Sequence, residues 1–167
     1  MKTLLVLRHA KSSWSNQNLS DFERPLNEKG RYDAPRMGRW IKHQYMTPEL
    51  IISSAAERAL TTAELVALAS GYDEELKVTR QFYLASPGTY IQALRSLADN
   101  YERVMVVGHN PGMEDLVEAL TGLTTGMPTA AVACIELPIT SWAALKDDES
   151  GTLRDHWVPR ELPANFR

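Results

Sequence analysis

The stretch Thr3-Leu4-Leu5-Val6-Leu7-Arg8-His9-Ala10 decides the fold. Thr3–Leu7 is a continuous apolar run, the pattern of a strand buried on both faces. Leu50–Ile52 and Val104–Val107 read the same way. Between them lie segments of helical spacing. In Ser86–Asp99, Ser86 is placed to cap, Pro87 suits the first helical position, and Ile91, Leu94 and Leu97/Ala98 form a stripe. In Asn110–Thr121, Asn110 is placed to cap, and Met113, Leu116, Val117 and Leu120 share a face before Gly122 stops the helix. Glu57–Ser70 is rich in Ala and Leu and ends at Gly71. Glu28–Gln44 carries Met37, Ile41 and Tyr45 on one face, with Pro35 expected to kink or offset it. Ala131–Leu137 and Leu153–Val158 read as strands, whereas Ser141–Leu145 fits either a strand or a helical turn. Alternating strands and helices imply an α/β fold, a parallel or mixed sheet with helices on both faces.

Composition sets the outer bounds. The 167 residues suit one domain, and 44% hydrophobic with 23% charged residues is ordinary globular composition. Disorder, collagen-like repeats and a disulfide scaffold are excluded, and no apolar run approaches the ~20 residues of a membrane span. A net charge of −3 argues against nucleic acid as the main partner. The single cysteine, Cys134, sits in an apolar run and is expected to be buried. The apolar stretch before Arg8 is too short for a signal peptide, so a cytoplasmic location is expected.

Sheets of this class place their sites at the C-terminal ends of the strands. There the first strand delivers Arg8-His9-Ala10, and Val104–Val107 delivers Gly108-His109-Asn110-Pro111. Leu50–Ile52 delivers Ser53-Ser54, with Arg58 on the first turn of the next helix. If these strands are neighbours, two His and two Arg converge. Phosphoryl chemistry uses such a set, with an imidazole attacking phosphorus and guanidiniums holding its oxygens through bidentate charge-assisted bonds. His43 and His156 lack this context and are taken as surface or structural residues.

Four blocks carry a family resemblance. Leu7-Arg8-His9-Ala10 resembles the Arg-His-Gly/Ala signature of the histidine phosphatase superfamily, which has the phosphoglycerate mutase-like fold. The run from Ser53 to Ala63, with Arg58-Ala59 and Thr62-Ala63, is similar to its second block, and Val107–Pro111 to its third. Asp21-Phe22-Glu23-Arg24-Pro25-Leu26-Asn27-Glu28-Lys29-Gly30 resembles its Arg-Pro-Leu-Thr-x-x-Gly stretch. The Lys11-Ser12 run, the His-Asn-Pro form and the short chain resemble the SixA-like branch, the phosphohistidine phosphatases.

The resemblance implies a three-layer α/β/α sandwich with a mostly parallel central sheet, filling residues 1–167 as a single domain without a large lid insertion. It implies that His9 is the nucleophile, forming a phosphohistidine intermediate that water hydrolyses. A neutral imidazole of pKa ~6.5 suits that role. Arg8 and Arg58 would clamp the phosphoryl oxygens. His109 would donate a hydrogen bond or carry positive charge, and a helix starting at Asn110 would aim its N–H groups at the same anion. Ser12 or Asn16 is a further candidate for closing the pocket. Four cationic or donor groups leave no need for a metal, and no cofactor is expected.

One departure bears on substrate. Many members of the superfamily carry a Glu after the third strand that protonates an alcohol leaving group. Here Val78–Ser86 contains no acidic residue. General acid help is worth about 10²–10⁴-fold, so an ester needs it. A phosphohistidine leaves as an imidazole that solvent protonates on its far nitrogen. Asp21, or Glu23 on the same loop, is the alternative carboxylate able to act as general acid; otherwise Asp21 is an ion-pair partner of Arg24 or a loop cap. The expected substrate is therefore a phosphorylated protein, such as a histidine phosphotransfer domain. A small phosphorylated metabolite is the alternative, and a non-catalytic phospho-binding module is a third.

Overall fold

The computed structural model describes residues 1–166. Its six strands are β1 (Lys2–Arg8), β2 (Leu50–Ser54), β3 (Lys77–Thr79), β4 (Arg103–Gly108), β5 (Val132–Leu137) and β6 (Thr152–Trp157). The helices are α1 (Glu28–His43), α2 (Glu57–Ser70), α3 (Pro87–Arg95) and α4 (Gly112–Thr121). All six strands form one sheet in the order β3-β2-β4-β1-β5-β6. β1 to β4 are mutually parallel, β5 pairs antiparallel with β1, and β6 pairs antiparallel with β5.

Strand pleating divides the core into two. Leu4, Val6, Leu50, Ile52, Val104 and Val106 point to one face, where Tyr90 and Leu94 of α3 and Met113, Leu116 and Val117 of α4 cover them. Leu5, Leu7, Ile51, Met105 and Val107 point to the other face, under Met37 and Ile41 of α1 and Ala63 and Val66 of α2. This is the three-layer sandwich implied by the unbroken apolar runs: a strand apolar on both faces needs helices above and below.

Most boundaries match the expectation, and the differences have local causes. α1 runs through Pro35 without a break, carried by its packing on α2. α2 ends in a left-handed Gly71 (φ 82°) as expected. α3 stops at Arg95, four residues early. Ser86 holds the position before it, but its side chain makes no capping bond. α4 starts at Gly112, not Asn110, with Pro111 before it and no side-chain cap. Ser141–Leu145 is a turn, in which Ser141 caps a short 3-10 segment and drops Trp142 fully into the core. Trp157 is half-buried under the second core. The C-terminal segment packs back: the Arg36 guanidinium donates to the carbonyls of Pro159 and Phe166, and the Phe166 ring lies on Trp40. Arg167, the last residue of that tail, lies outside the described residues. Cys134 is buried, and its thiol is pushed up by burial.

Gly30 shows how tightly α1 is docked against the loop after β1. A Cβ built there would lie 2.1 Å from the Lys11 carbonyl oxygen, a backbone atom. Gly30→Ala gains about 1 kcal/mol of helix propensity but forces an overpacking cost of about 1–3 kcal/mol or more. The clash should win because the obstacle is backbone. Denaturant unfolding is expected to show a net loss of stability, and an unchanged or raised midpoint would contradict the docking.

Candidate active site

The parallel register pairs Arg8 with Gly108, so β1 and β4 end side by side. The His9 N–H continues the ladder to the Gly108 carbonyl at 3.0 Å. The two residues just past these strands therefore meet: the His9 and His109 ring centroids are 5.2 Å apart. Arg58 arrives from the first turn of α2, and a cavity of about 230 Å³ is lined by Arg8, His9, Arg58, His109 and Asn110 together with Lys11, Ser12, Trp14, Arg24, Leu84 and Thr129. All four residues expected to carry the chemistry are thus in one place.

His9 is held in one tautomer. Its Nδ1 lies 2.7 Å from the Ala10 carbonyl oxygen, which can only accept, so Nδ1 carries the proton. Nε2 is left as the free base. Ala10 is fixed in turn, because its N–H donates to Thr62 Oγ1, whose hydroxyl donates to the Arg58 carbonyl. Burial lowers the His9 imidazole to about 3, with His109, Arg58 and Arg8 adding to the effect.

His109 is ordered by Ser54. Its Nε2 lies 2.8 Å from Ser54 Oγ, which also accepts from the Ala56 N–H. With that hydroxyl proton given to Nε2, the His109 Nδ1 becomes the N–H, and it is buried without a partner among the described residues. Burial lowers His109 to about 4, helped by Arg58 and Arg8 and opposed by Asp21. Of the two roles expected for His109, burial thus favours the neutral imidazole over the positively charged one.

The arginines are anchored through their outer nitrogens. Arg8 Nη1 donates to the Met127 carbonyl at 3.0 Å. Arg58 Nη1 and Nη2 donate to the Asp21 carbonyl and carboxylate at 2.6 and 3.0 Å. The Nε of each, like His109 Nδ1, is buried without a partner among the described residues. All three atoms belong to residues that line the one cavity.

Two further expectations are corrected. Asn110 lines the cavity, but its amide nitrogen donates to Glu114 Oε1 and the Met127 carbonyl, both at 3.0 Å. Its side-chain N–H groups are committed to the Glu114 carboxylate and the Met127 carbonyl and cap no helix. Asp21 is no proton donor. Burial raises its carboxyl, yet hydrogen bonds from Tyr83, Arg58 and Arg24 outweigh this and bring it to about 2. It is an ionised counter-charge, paired with Arg24 and Arg58 at 3.1 and 3.0 Å. Of the two other pocket candidates, Ser12 lies in the wall and accepts from Arg24 at 2.7 Å, while Asn16 is an exposed loop residue bonded to Asn18.

Sequence reasoning named Arg24 only as an ion-pair partner of Asp21 and did not single out Ser54, Thr62, Tyr83 or Trp14. Ser54 and Thr62 stand inside the quoted blocks, so the signal was present but carried no role. Tyr83 and Trp14 have no local signal at all. Tyr83 comes from beyond β3 and donates to Asp21 at 2.5 Å while its ring stands edge-on to His109.

The sequence profile of the histidine phosphatase superfamily (branch 1) matches residues 4–82. An uncharacterised chloroplastic protein of Arabidopsis thaliana is 30% identical over 150 residues, covering 84% of this chain and 69% of its own. The chain belongs to the histidine phosphatase superfamily. A SixA structure from Agrobacterium tumefaciens superposes with a TM-score of 0.81 at 28% identity, over 95% of this chain and 98% of that one. A SixA complexed with tungstate gives 0.83 at 23% identity over 96% and 99%, a likeness of fold. Both span nearly the whole chain, which matches the superfamily fold with no large lid insertion.

The depressed imidazoles make a stability prediction. A His of folded pKa near 3 or 4 takes up a proton in the unfolded chain at ~6.5 but not in the fold. Its presence is neutral to stability at high pH. It lowers stability progressively as pH falls from ~6.5 toward 4. The His9→Gln/His109→Gln double variant should lose less stability over that window than the parent, as read by urea unfolding at each pH. Equal slopes would refute the shifts.

Proposed function

We propose that this protein is a phosphatase that hydrolyses protein phosphohistidine through a phosphohistidine intermediate on His9. The convergence of Arg8, Arg58 and His109 on one cavity beside His9, each with a buried nitrogen unpartnered among the described residues, carries this reading. Buried donors are rarely left unmet, and a phosphoryl group supplies three equatorial oxygens.

The chain's own residues support each step. His9 Nε2, unprotonated at neutral pH and freed by the Nδ1 bond to Ala10, attacks phosphorus in line. The P–N bond to the substrate imidazole breaks, and the electron pair leaves on that nitrogen. Solvent protonates the departing ring. Arg8, Arg58 and His109 hold charge on the equatorial oxygens without reorganising. Water then attacks the phosphorus on His9, the P–Nε2 bond breaks, and phosphate leaves with His9 restored.

The lack of a proton donor favours this substrate over an ester. Asp21 is ionised, and Val78–Ser86 offers no carboxyl. Tyr83 is a poor acid, its hydroxyl pushed up by burial and by its bond to Asp21. The 28% identical SixA carries the name phosphohistidine phosphatase, which agrees with the reading.

The test is a metal-free assay in a chelator on a phosphorylated histidine phosphotransfer domain, beside a panel of phosphate monoesters. The expected outcome is turnover of the phosphohistidine with higher kcat/KM than any ester, and inhibition by tungstate. His9→Ala should lose at least about a thousandfold. A preferred ester would transfer the assignment to the metabolite class, and full activity in His9→Ala would sink the covalent route. Trapping with labelled substrate should give an acid-labile phospho-enzyme in the parent chain and none in His9→Ala. Failure to trap one in an active parent would speak for direct attack by water.

A further inference from the structure

The floor of the cavity is cationic, but two of its walls are not. Trp14 and Leu84 both line it, and both are largely in solvent, at 71% and 58% exposure. They come from separate loops, one after β1 and one after β3. Large exposed apolar side chains beside a charged pocket need a reason.

Both side chains are held in place at some cost. The Arg24 guanidinium lies 3.4 Å from the centre of the Trp14 ring, so one face of the indole rests on a cation. Arg24 is itself buried and fixed by bonds to Asp21, Ser12 and Ser13. The indole is thus mounted on an immobile support, with its remaining surface open. Leu84 has φ 50°, in the left-handed region that a leucine rarely adopts. Such strain persists where surrounding structure imposes it, and it gathers at ligand clamps.

We infer that Trp14 and Leu84 form a specificity rim that grips the leaving group, the Trp14 indole stacking on a flat, delocalised ring while the phosphoryl sits on the arginines. This inference rests on the phosphohistidine reading and deepens it: the selected class is phosphoramidates whose nitrogen belongs to a planar aromatic ring. A support that is rigid, flat and apolar favours such a ring over an alkyl ammonium or ammonia of the same leaving chemistry. The rim makes no contact with the reacting atoms, so its contribution lies in binding the leaving group rather than in breaking the bond.

The experiment compares kcat/KM for free phosphohistidine with kcat/KM for inorganic phosphoramidate, in which ammonia replaces the ring. The ratio of the two cancels any general loss from a loosened Arg24. In Trp14→Ala the ratio is expected to fall about tenfold, equivalent to about 1.4 kcal/mol. Trp14→Phe, which keeps a flat face, should restore most of it, and Leu84→Ala should move it the same way by less. A ratio unchanged in Trp14→Ala, with the parent enzyme still active on phosphohistidine, overturns the rim alone. A parent enzyme inactive on phosphohistidine overturns the functional reading beneath it. Because Trp14 is exposed, the variants should fold, and thermal melts matching the parent confirm that the ratio reports the site.

Discussion

The site depends on one constraint of topology, the adjacency of β1 and β4 with their helices leaving in opposite directions. β1 continues into α1 on one face of the sheet, whereas β4 continues into α4 on the other. A crevice must open between two such strands at their C-terminal ends, because neither connection can cover it. His9 and His109 are the first residues past those ends, so the parallel register alone brings their rings within 5.2 Å. The buried apolar residues of both strands fix that register, since a slip of one residue would turn Leu4 and Val6 toward the wrong layer. Packing and chemistry are thus set by the same pairing.

Electrostatics then decides what the crevice can do. Arg8, Arg24 and Arg58 crowd a small cavity, and a further positive charge there would be costly. The imidazoles are the groups able to respond. Burial and the neighbouring guanidiniums favour the neutral form of both, so the site holds its positive charge on arginines. In the proposed reaction His9 would need no separate base under these conditions. Its orientation needs only an acceptor for Nδ1, and the Ala10 carbonyl provides one.

Much of this arrangement was legible in the sequence because period and position determine it. Apolar runs of three to five residues marked the buried strands, and in a parallel sheet the residues just past the C-terminal end of a buried strand lie at the site by geometry. Arg8, His9, Arg58 and His109 were found that way. The features that escaped were long-range or conformational. β3 is a three-residue, mostly exposed edge strand with no apolar pattern to reveal it. The start of α4 depended on backbone angles at Pro111, and the composition of Asn110-Pro111 suggested a cap that the Asn110 side chain does not make. The loss of the His109 proton required knowing how deeply it is buried. Asp21 was legible as a partner of Arg24, but its bonds to Arg58 and Tyr83 span 37 and 62 residues, and no local pattern encodes them.

Asp21 acts on the cavity through its charge, as an ion-pair partner of two arginines. Three guanidiniums placed near one another repel, and each has been partly removed from water. Asp21 bridges two of them, Arg24 and Arg58, and so offsets the cost of assembling the cluster before any phosphoryl group enters. Its side chain is 41% exposed, which weakens that compensation through solvent screening and leaves the cavity net positive. A fully buried carboxylate would neutralise the arginines and compete with the phosphoryl oxygens for them. An absent one would remove one bond from each guanidinium, leaving Arg24 on Ser12 and Ser13 and Arg58 on the Asp21 backbone carbonyl with their mutual repulsion unopposed. The half-exposed position satisfies both demands, holding Arg24 through Nε and Arg58 through its two outer nitrogens while the Nε of Arg58 stays buried and unpaired among the described residues.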